Sequence, residues 1–180
     1  MRELSLNVMD IAQNSISAGA SLITITVVED QPGDTLSISV EDNGKGMSPE
    51  TVQKVIDPFY TTRTTRSVGL GVPLFKMEAE MTGGSFTIQS QLGVGTNLTA
   101  VFKPSSVDMI PLGDINGTVQ LLISCNPTLD FIFHRSLRSL DRQGRAAGIC
   151  FKDRRASPGA GGGCPLGHPG CGAVDQGVLG

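Results

Sequence analysis

Two runs, "LITITVVED" and "TLSISVED", alternate apolar and polar side chains and are joined by "QPGD". A period of two puts all the apolar residues of a run on one side of an extended chain, and Pro-Gly between two β-rich runs turns the chain back on itself. An antiparallel hairpin is therefore expected here, and its apolar side needs a cover from elsewhere in the sequence.

The neighbouring stretches offer that cover. In residues 3–17, Leu4, Val8, Ile11 and Ser15 recur at helical spacing, with Gly19 as a stop. Ser48-Pro49-Glu50 supplies an N-cap, a proline at the first helical position and an early acid, which predicts a helix over 49–55 ended by Pro58. A second long helix is expected from Leu70 to Met81, entered through Gly69 and Gly71, with Pro73 near its start and Gly83-Gly84 past its end. Strands follow at "SFTIQSQ" and "TNLTAVF", with "LGVG" as the turn. This order predicts an α+β fold with helices on one face of a mostly antiparallel mixed sheet. Residues 1–103 form the main unit. Over 104–140, "DINGTVQLLISC" reads as a capped apolar helix and "TLDFIFHRS" as a strand appended to the same sheet. Eleven of the 23 glycines fall between 144 and 180, and periodicity vanishes there. Residues 141–180 are thus expected as a Gly/Pro/Arg-rich tail, either disordered or frameshifted.

Charge and cysteine placement exclude several classes. A net charge of −3 and a pI near 5.3 leave no basic field for nucleic acid or anionic lipid, Arg63 and Arg66 making only a local patch. The first residues carry neither a signal-peptide core nor an apolar span of about 20 residues, so no membrane partner and a cytoplasmic location are expected. Cys125 lies in an apolar run, while Cys150, Cys164 and Cys171 crowd the C-terminal end, which rules out a disulfide framework across the core.

The chemistry concentrates in "DNGKGMSPETVQKVIDPFYTTRTTRSVGLGVPLFK", residues 42–76. Asp42-Asn43-Gly44-Lys45-Gly46 follows a strand; Asp42 could present a carboxylate to an exocyclic amine such as adenine's, and the same residues also fit a plain turn. Gly69-Leu70-Gly71 opens a helix, whose free N–H groups suit phosphate. Asp10 and Asn14 stand four apart on one helical face, able to hold hydrated Mg²⁺ and to orient a nucleophile, or else simply solvated.

Taken in order, "MDIAQNSISAGA", "EDNGKGM", "DPFYTTR", "GLGVPLFK" and "GVGTNLTAVF" resemble the N box, first glycine box, F box, second glycine box and closing G-T strand of the GHKL superfamily. The resemblance covers residues 1 to about 103 and implies the Bergerat fold, a two-layer α/β sandwich. It implies ATP and Mg²⁺ as cofactors, with Asn14 ligating the metal and Asp42 reading the adenine amino group. Gly44 and Gly46 would let the chain approach the nucleotide, and Thr96 would sit beside the base through a water. Phe59 would anchor the F box, residues 60–68 would form a lid with Thr61, Thr62, Arg63 and Arg66 facing the phosphates, and Gly69, Leu70 and Gly71 would present backbone N–H groups. Met47 and Phe75 are core or pocket wall, and Lys76 is a phosphate contact or a surface lysine.

The lid looks most like that of a sensor histidine kinase. Such kinases carry a phosphoacceptor histidine before the N box, and here the N box begins the sequence. The expectation is a stand-alone domain that phosphorylates a separate partner protein or slowly hydrolyses ATP, with Asp10 as catalytic base where the hydrolysing members place Glu. A non-catalytic nucleotide-dependent binding module is the alternative. A zinc or redox site on Cys150, Cys164, His168 and Cys171 matches no strong ligand spacing. His134 and His168 read as structural or solvated.

Overall fold

The computed structural model describes residues 3–57, 71–140 and 146–155. Helix α1 spans Leu4–Ser17 and buries Leu4, Val8, Ile11 and Ser15, the stripe that the spacing marks. Its first amides bond outside the helix: Leu4 N–H donates to the Pro111 carbonyl at 3.0 Å and Ser5 N–H to that of Leu112 at 2.9 Å. Gly19, at φ +75°, ends it.

Strands β1 (Leu22–Asp30) and β2 (Thr35–Asp42) form the expected hairpin, pairing antiparallel from Ile23 with Asp42 to Asp30 with Thr35. Helix α2 covers Pro49–Ile56; the Ser48 hydroxyl accepts from Thr51 N–H, and the chain leaves through Asp57 in the extended conformation that a following proline imposes. Helix α3 covers Gly71–Met81, and β3 (Ser85–Gln91) and β4 (Gly95–Phe102) form a second hairpin. Helix α4, Ile115–Cys125, is capped by the Asp114 carboxylate on Gly117 N–H. Strands β5 (Asp130–Leu140) and β6 (Ala146–Arg155) complete the described elements.

The six strands run in the order β3-β4-β2-β1-β5-β6. Every pairing is antiparallel except β1 with β5, which is parallel because the chain crosses through α4 before returning. The result is the α+β sandwich that the element order predicts. Strand residues alternate: Ile23, Ile25 and Val27 on β1 and Leu36, Ile38 and Val40 on β2 are buried, while Thr24, Ser37 and Ser39 are only partly covered. Val72, Phe75 and Ala79 from α3 and Ile115, Val119 and Leu122 from α4 close over the apolar side. Phe75 is fully buried against Phe102, ring centroids 5.3 Å apart and tilted by 59°, so it is core rather than pocket wall. Burying such a ring contributes about 1.5–3 kcal/mol.

Two features depart from expectation. Residues 146–155, expected within a tail without folded elements, form β6 along β5; the run "GICF" supplies a β-branched and an aromatic residue two apart, and an adjacent strand edge gives them a ladder. The rest of the expected tail, 141–145 and 156–180, lies outside the described residues, with Cys164, His168 and Cys171. The second is polar: Glu78, 4 % exposed on the inner side of α3, accepts a hydrogen bond from the Asn7 amide of α1. This cross-helix bond inside the core has no counterpart in the apolar pattern.

Candidate nucleotide site

The site assembles where β2 ends. Asp42 is the last residue of that strand, and the β2–β4 register sets Thr96 directly opposite it. On the helix side, α1 passes over the same strand end and contributes Asn14 and Ser15. These residues, with Val40, Gly46, Met47, Val72, Ile88 and Leu98, enclose a cavity of about 230 Å³. Its walls are largely apolar; the polar residues among them are Asp42, Ser15, Thr51 and Thr96, with Asn14, Ser17 and Lys45 reaching solvent at its rim. A wider depression of about 380 Å³ opens on the other face of the same strand ends, lined by Thr24, Glu41, Gln89 and Asn97. It is the more open of the two, with most of its lining residues polar and Asp42 and Thr96 shared with the other, whereas the helix-side cavity combines apolar planes with a single carboxylate, which suits a flat heterocycle carrying an amine.

Asp42 is held at both oxygens: Gly44 N–H donates to Oδ1 at 2.9 Å and the Ser15 hydroxyl to Oδ2 at 2.6 Å. Thr96 and Ser90 share a hydroxyl bond of 2.9 Å, and Ser90 Oγ also receives Met47 N–H at 2.8 Å, so the first glycine loop is tied to the β3–β4 hairpin. Asn43 points the other way. Its Oδ1 accepts from Ser21 and Leu22 N–H, both at 2.9 Å, and its amide donates to Ser21 Oγ, which closes the start of β1.

The glycines have distinct reasons. Gly46 sits at φ +65° with the Gln91 carbonyl oxygen 1.9 Å from where a Cβ would stand; the close approach there is to the protein's own backbone as well as to the cavity it lines. At Gly44 a Cβ would stand 3.0 Å from Ala18 Cβ and from Asp42 Oδ1, so a methyl fits only if these neighbours give by a few tenths of an ångström. Gly95, which sequence reasoning passed over as a turn residue, has the Asp42 carbonyl oxygen 2.0 Å from its missing Cβ. At Gly71, the first residue of α3, a Cβ would stand 2.7 Å from that of Asp10, so the absent side chain lets α3 start against α1 at that residue.

The structure thus brings Asn14, Asp42, Gly46 and Thr96 together around one cavity, while Gly44 is not among the residues that wall it and reaches the site through its N–H bond to Asp42. Asp10 is exposed one turn before Asn14, beside Gly71, and is not among the described residues that wall the cavity. Phe59, Thr61, Thr62, Arg63, Gly69 and Leu70 lie outside the described residues. Lys76 pairs with Glu80 at 3.8 Å on the surface of α3, a solvated helical pair. Ser15 is a cavity residue that sequence reasoning missed, and a hydroxyl within an otherwise apolar stripe was the available signal for it; Asn43 lies outside the cavity and serves the start of β1. No described helix is long and apolar enough to cross a membrane.

Residues 1–106 match the family described as histidine kinase-, DNA gyrase B-, and HSP90-like ATPase. Over 94 residues the chain is 30 % identical to the sensor histidine kinase YvrG of Bacillus subtilis (strain 168), a match covering 50 % of this chain and 16 % of that protein. Over 101 residues it is 38 % identical to the sensor protein SrrB of Staphylococcus aureus (strain NCTC 8325 / PS 47), covering 53 % of this chain and 17 % of that protein. The chain therefore spans about a sixth of the length of these curated relatives. A cavity walled by Asp42, Asn14 and Thr96 at the end of the second strand, inside a domain of this sequence class, makes this an ATP-binding domain, and the chain belongs to the histidine kinase-, DNA gyrase B- and HSP90-like ATPase family.

Proposed function

We propose that this domain binds Mg-ATP between α1, the end of β2 and the start of α3, and passes the γ-phosphate to a separate partner protein or, slowly, to water. The observation that carries this is the Asp42 carboxylate, fixed by two donors at the wall of a cavity that also meets Asn14 and Thr96. Asp42 accepts the adenine amino group, Gly44 and Gly46 keep the loop close to the base, and Thr96 supports the base through a water. Of the two relatives, YvrG is named a sensor histidine kinase, and that suggests the same chemistry here.

Mg²⁺ takes most of its ligands from water and phosphate oxygens, so one amide oxygen at the rim is a sufficient protein contribution, and Asn14 fits that role. Bound there, the ion would offset charge on the phosphate oxygens. Asp10 stands one helical turn away, beside the N-terminus of α3, where a carboxylate can accept the proton of an attacking hydroxyl or water. The lid residues Thr61, Thr62 and Arg63, with Gly69 and Leu70, would complete the phosphate contacts.

A second reading has its own support. Asp10 is a methylene shorter than glutamate and does not wall the cavity among the described residues, which favours a nucleotide-dependent binding module without useful chemistry. Calorimetric titration with Mg-ATP, alongside phosphate release by wild type and Asp10→Asn, separates the two. Catalysis predicts release that falls at least about tenfold in the variant with affinity kept. Binding without release in either protein establishes the module instead. Asn14→Ala is expected to abolish the Mg²⁺-dependent part of ATP affinity, and normal affinity in that variant removes Asn14 from the site.

A further inference from the structure

We propose that Ser15 is a positioning residue that sets the base selectivity of the cavity by fixing which lone pairs of Asp42 face the ligand. The proposal rests on the reading of Asp42 as the base-recognising carboxylate.

Ser15 occupies the buried stripe of α1 and is 4 % exposed. A hydroxyl in that position is costly unless it is bonded. It has one proton and two acceptors in reach: Asp42 Oδ2 at 2.6 Å and the Ile11 carbonyl at 3.4 Å. The short contact to a charged oxygen takes the proton. Gly44 N–H holds the other carboxylate oxygen at 2.9 Å. The two donors come from different elements, the helix and the loop after β2, so together they stop the carboxylate plane from turning about its last torsion.

Fixing the plane has a chemical consequence. One acceptor position on each oxygen is consumed by the protein, and an ionised carboxylate has only acceptors left to offer. A ligand edge placed against it must therefore donate an N–H, as a 6-amino purine does. A 6-oxo purine would bring a carbonyl oxygen against a carboxylate oxygen that cannot rotate away or recruit the Ser15 proton, which is already committed. Without Ser15 the carboxylate is tied at one oxygen only, and the penalty against the wrong edge relaxes.

The test compares ATP with purine riboside triphosphate, which lacks the 6-amino group, by calorimetry on the whole chain. Ser15→Ala removes one atom from a helix that alanine favours, so the fold is retained, and its melting temperature is recorded alongside. ATP affinity is expected to fall about tenfold, the scale of one hydrogen bond to a charged group, while the unsubstituted purine triphosphate changes by less than about twofold. In an Asp42→Asn background, Ser15→Ala should leave the ratio between the two nucleotides where Asp42→Asn alone puts it. Parallel weakening of both nucleotides, or no change in either, overturns the proposal while leaving Asp42 in place. A wild-type protein that does not distinguish the two nucleotides overturns the reading of Asp42 itself, and the role of Ser15 with it.

Discussion

Gly46→Ala tests whether the first glycine loop is set by the protein's own backbone. A methyl there would stand 1.9 Å from the Gln91 carbonyl oxygen and 2.6 Å from its carbon, where ordinary contact begins at 3.4 Å, so the β3–β4 hairpin must retreat by about 1.5 Å. At that displacement the Gly93 N–H bond to the Lys45 carbonyl (2.8 Å) and the Met47 N–H bond to Ser90 Oγ (2.8 Å) are both lost, at about 1 kcal/mol each. Holding alanine at φ +65° adds about 1–2 kcal/mol. The total, about 3–4 kcal/mol, is a large part of a stability in the usual range of about 5–15 kcal/mol. It corresponds to a melting temperature lower by roughly 10 °C. Urea denaturation with Gly44→Ala as the control reads this out. Gly44 has no left-handed φ and its nearest contacts are 3.0 Å, so that variant should lose only about 1 kcal/mol. A Gly46→Ala protein as stable as the Gly44→Ala control would refute the reasoning, because it would mean the hairpin yields without breaking either bond.

Two further substitutions separate architecture from chemistry. Gly71→Ala places a Cβ 2.7 Å from that of Asp10 and pushes α3 away from α1, so phosphate release should fall by about tenfold or more while adenosine binding stays near normal; equal loss of both would place the effect in the fold. Asn43→Ala removes three hydrogen bonds that close the start of β1 and should cost about 2–3 kcal/mol in urea denaturation, with Asn43→Asp, which keeps the acceptor, losing less; a variant as stable as wild type would show that water replaces the amide.

What the sequence made legible is local. The Ser48 cap, the Gln31–Asp34 turn and the α1 stripe each act over a few residues, and each element they predict is present. The five boxes in order placed Asp42, Thr96 and Asn14 around one cavity because their spacing follows from the strand and helix that carry them. Distant partners were not legible. The parallel register of β5 on β1 joins residues more than a hundred positions apart, and nothing in "TLDFIFHRS" names its neighbour. For the same reason Gly46 looked like a concession to ligand, when the atom nearest its missing side chain is the Gln91 carbonyl. Ser15 passed as a helical-stripe residue because its acceptor lies 27 positions later, and β6 was hidden by a glycine-rich composition that a neighbouring strand edge overrides.

The start of α1 is fastened by residues beyond the family match, which ends at residue 106. Pro111 and Leu112 receive its first amides, and Gly113, at φ +72°, fits under the Glu3 and Ser5 side chains with no space for a methyl. The same helix carries Asp10, Asn14 and Ser15, so the segment leading into α4 and β5 anchors the element that forms one wall of the cavity. Any change in how Pro111, Leu112 and Gly113 are held would therefore act first on the start of the helix that carries Asn14 and Ser15 to the cavity.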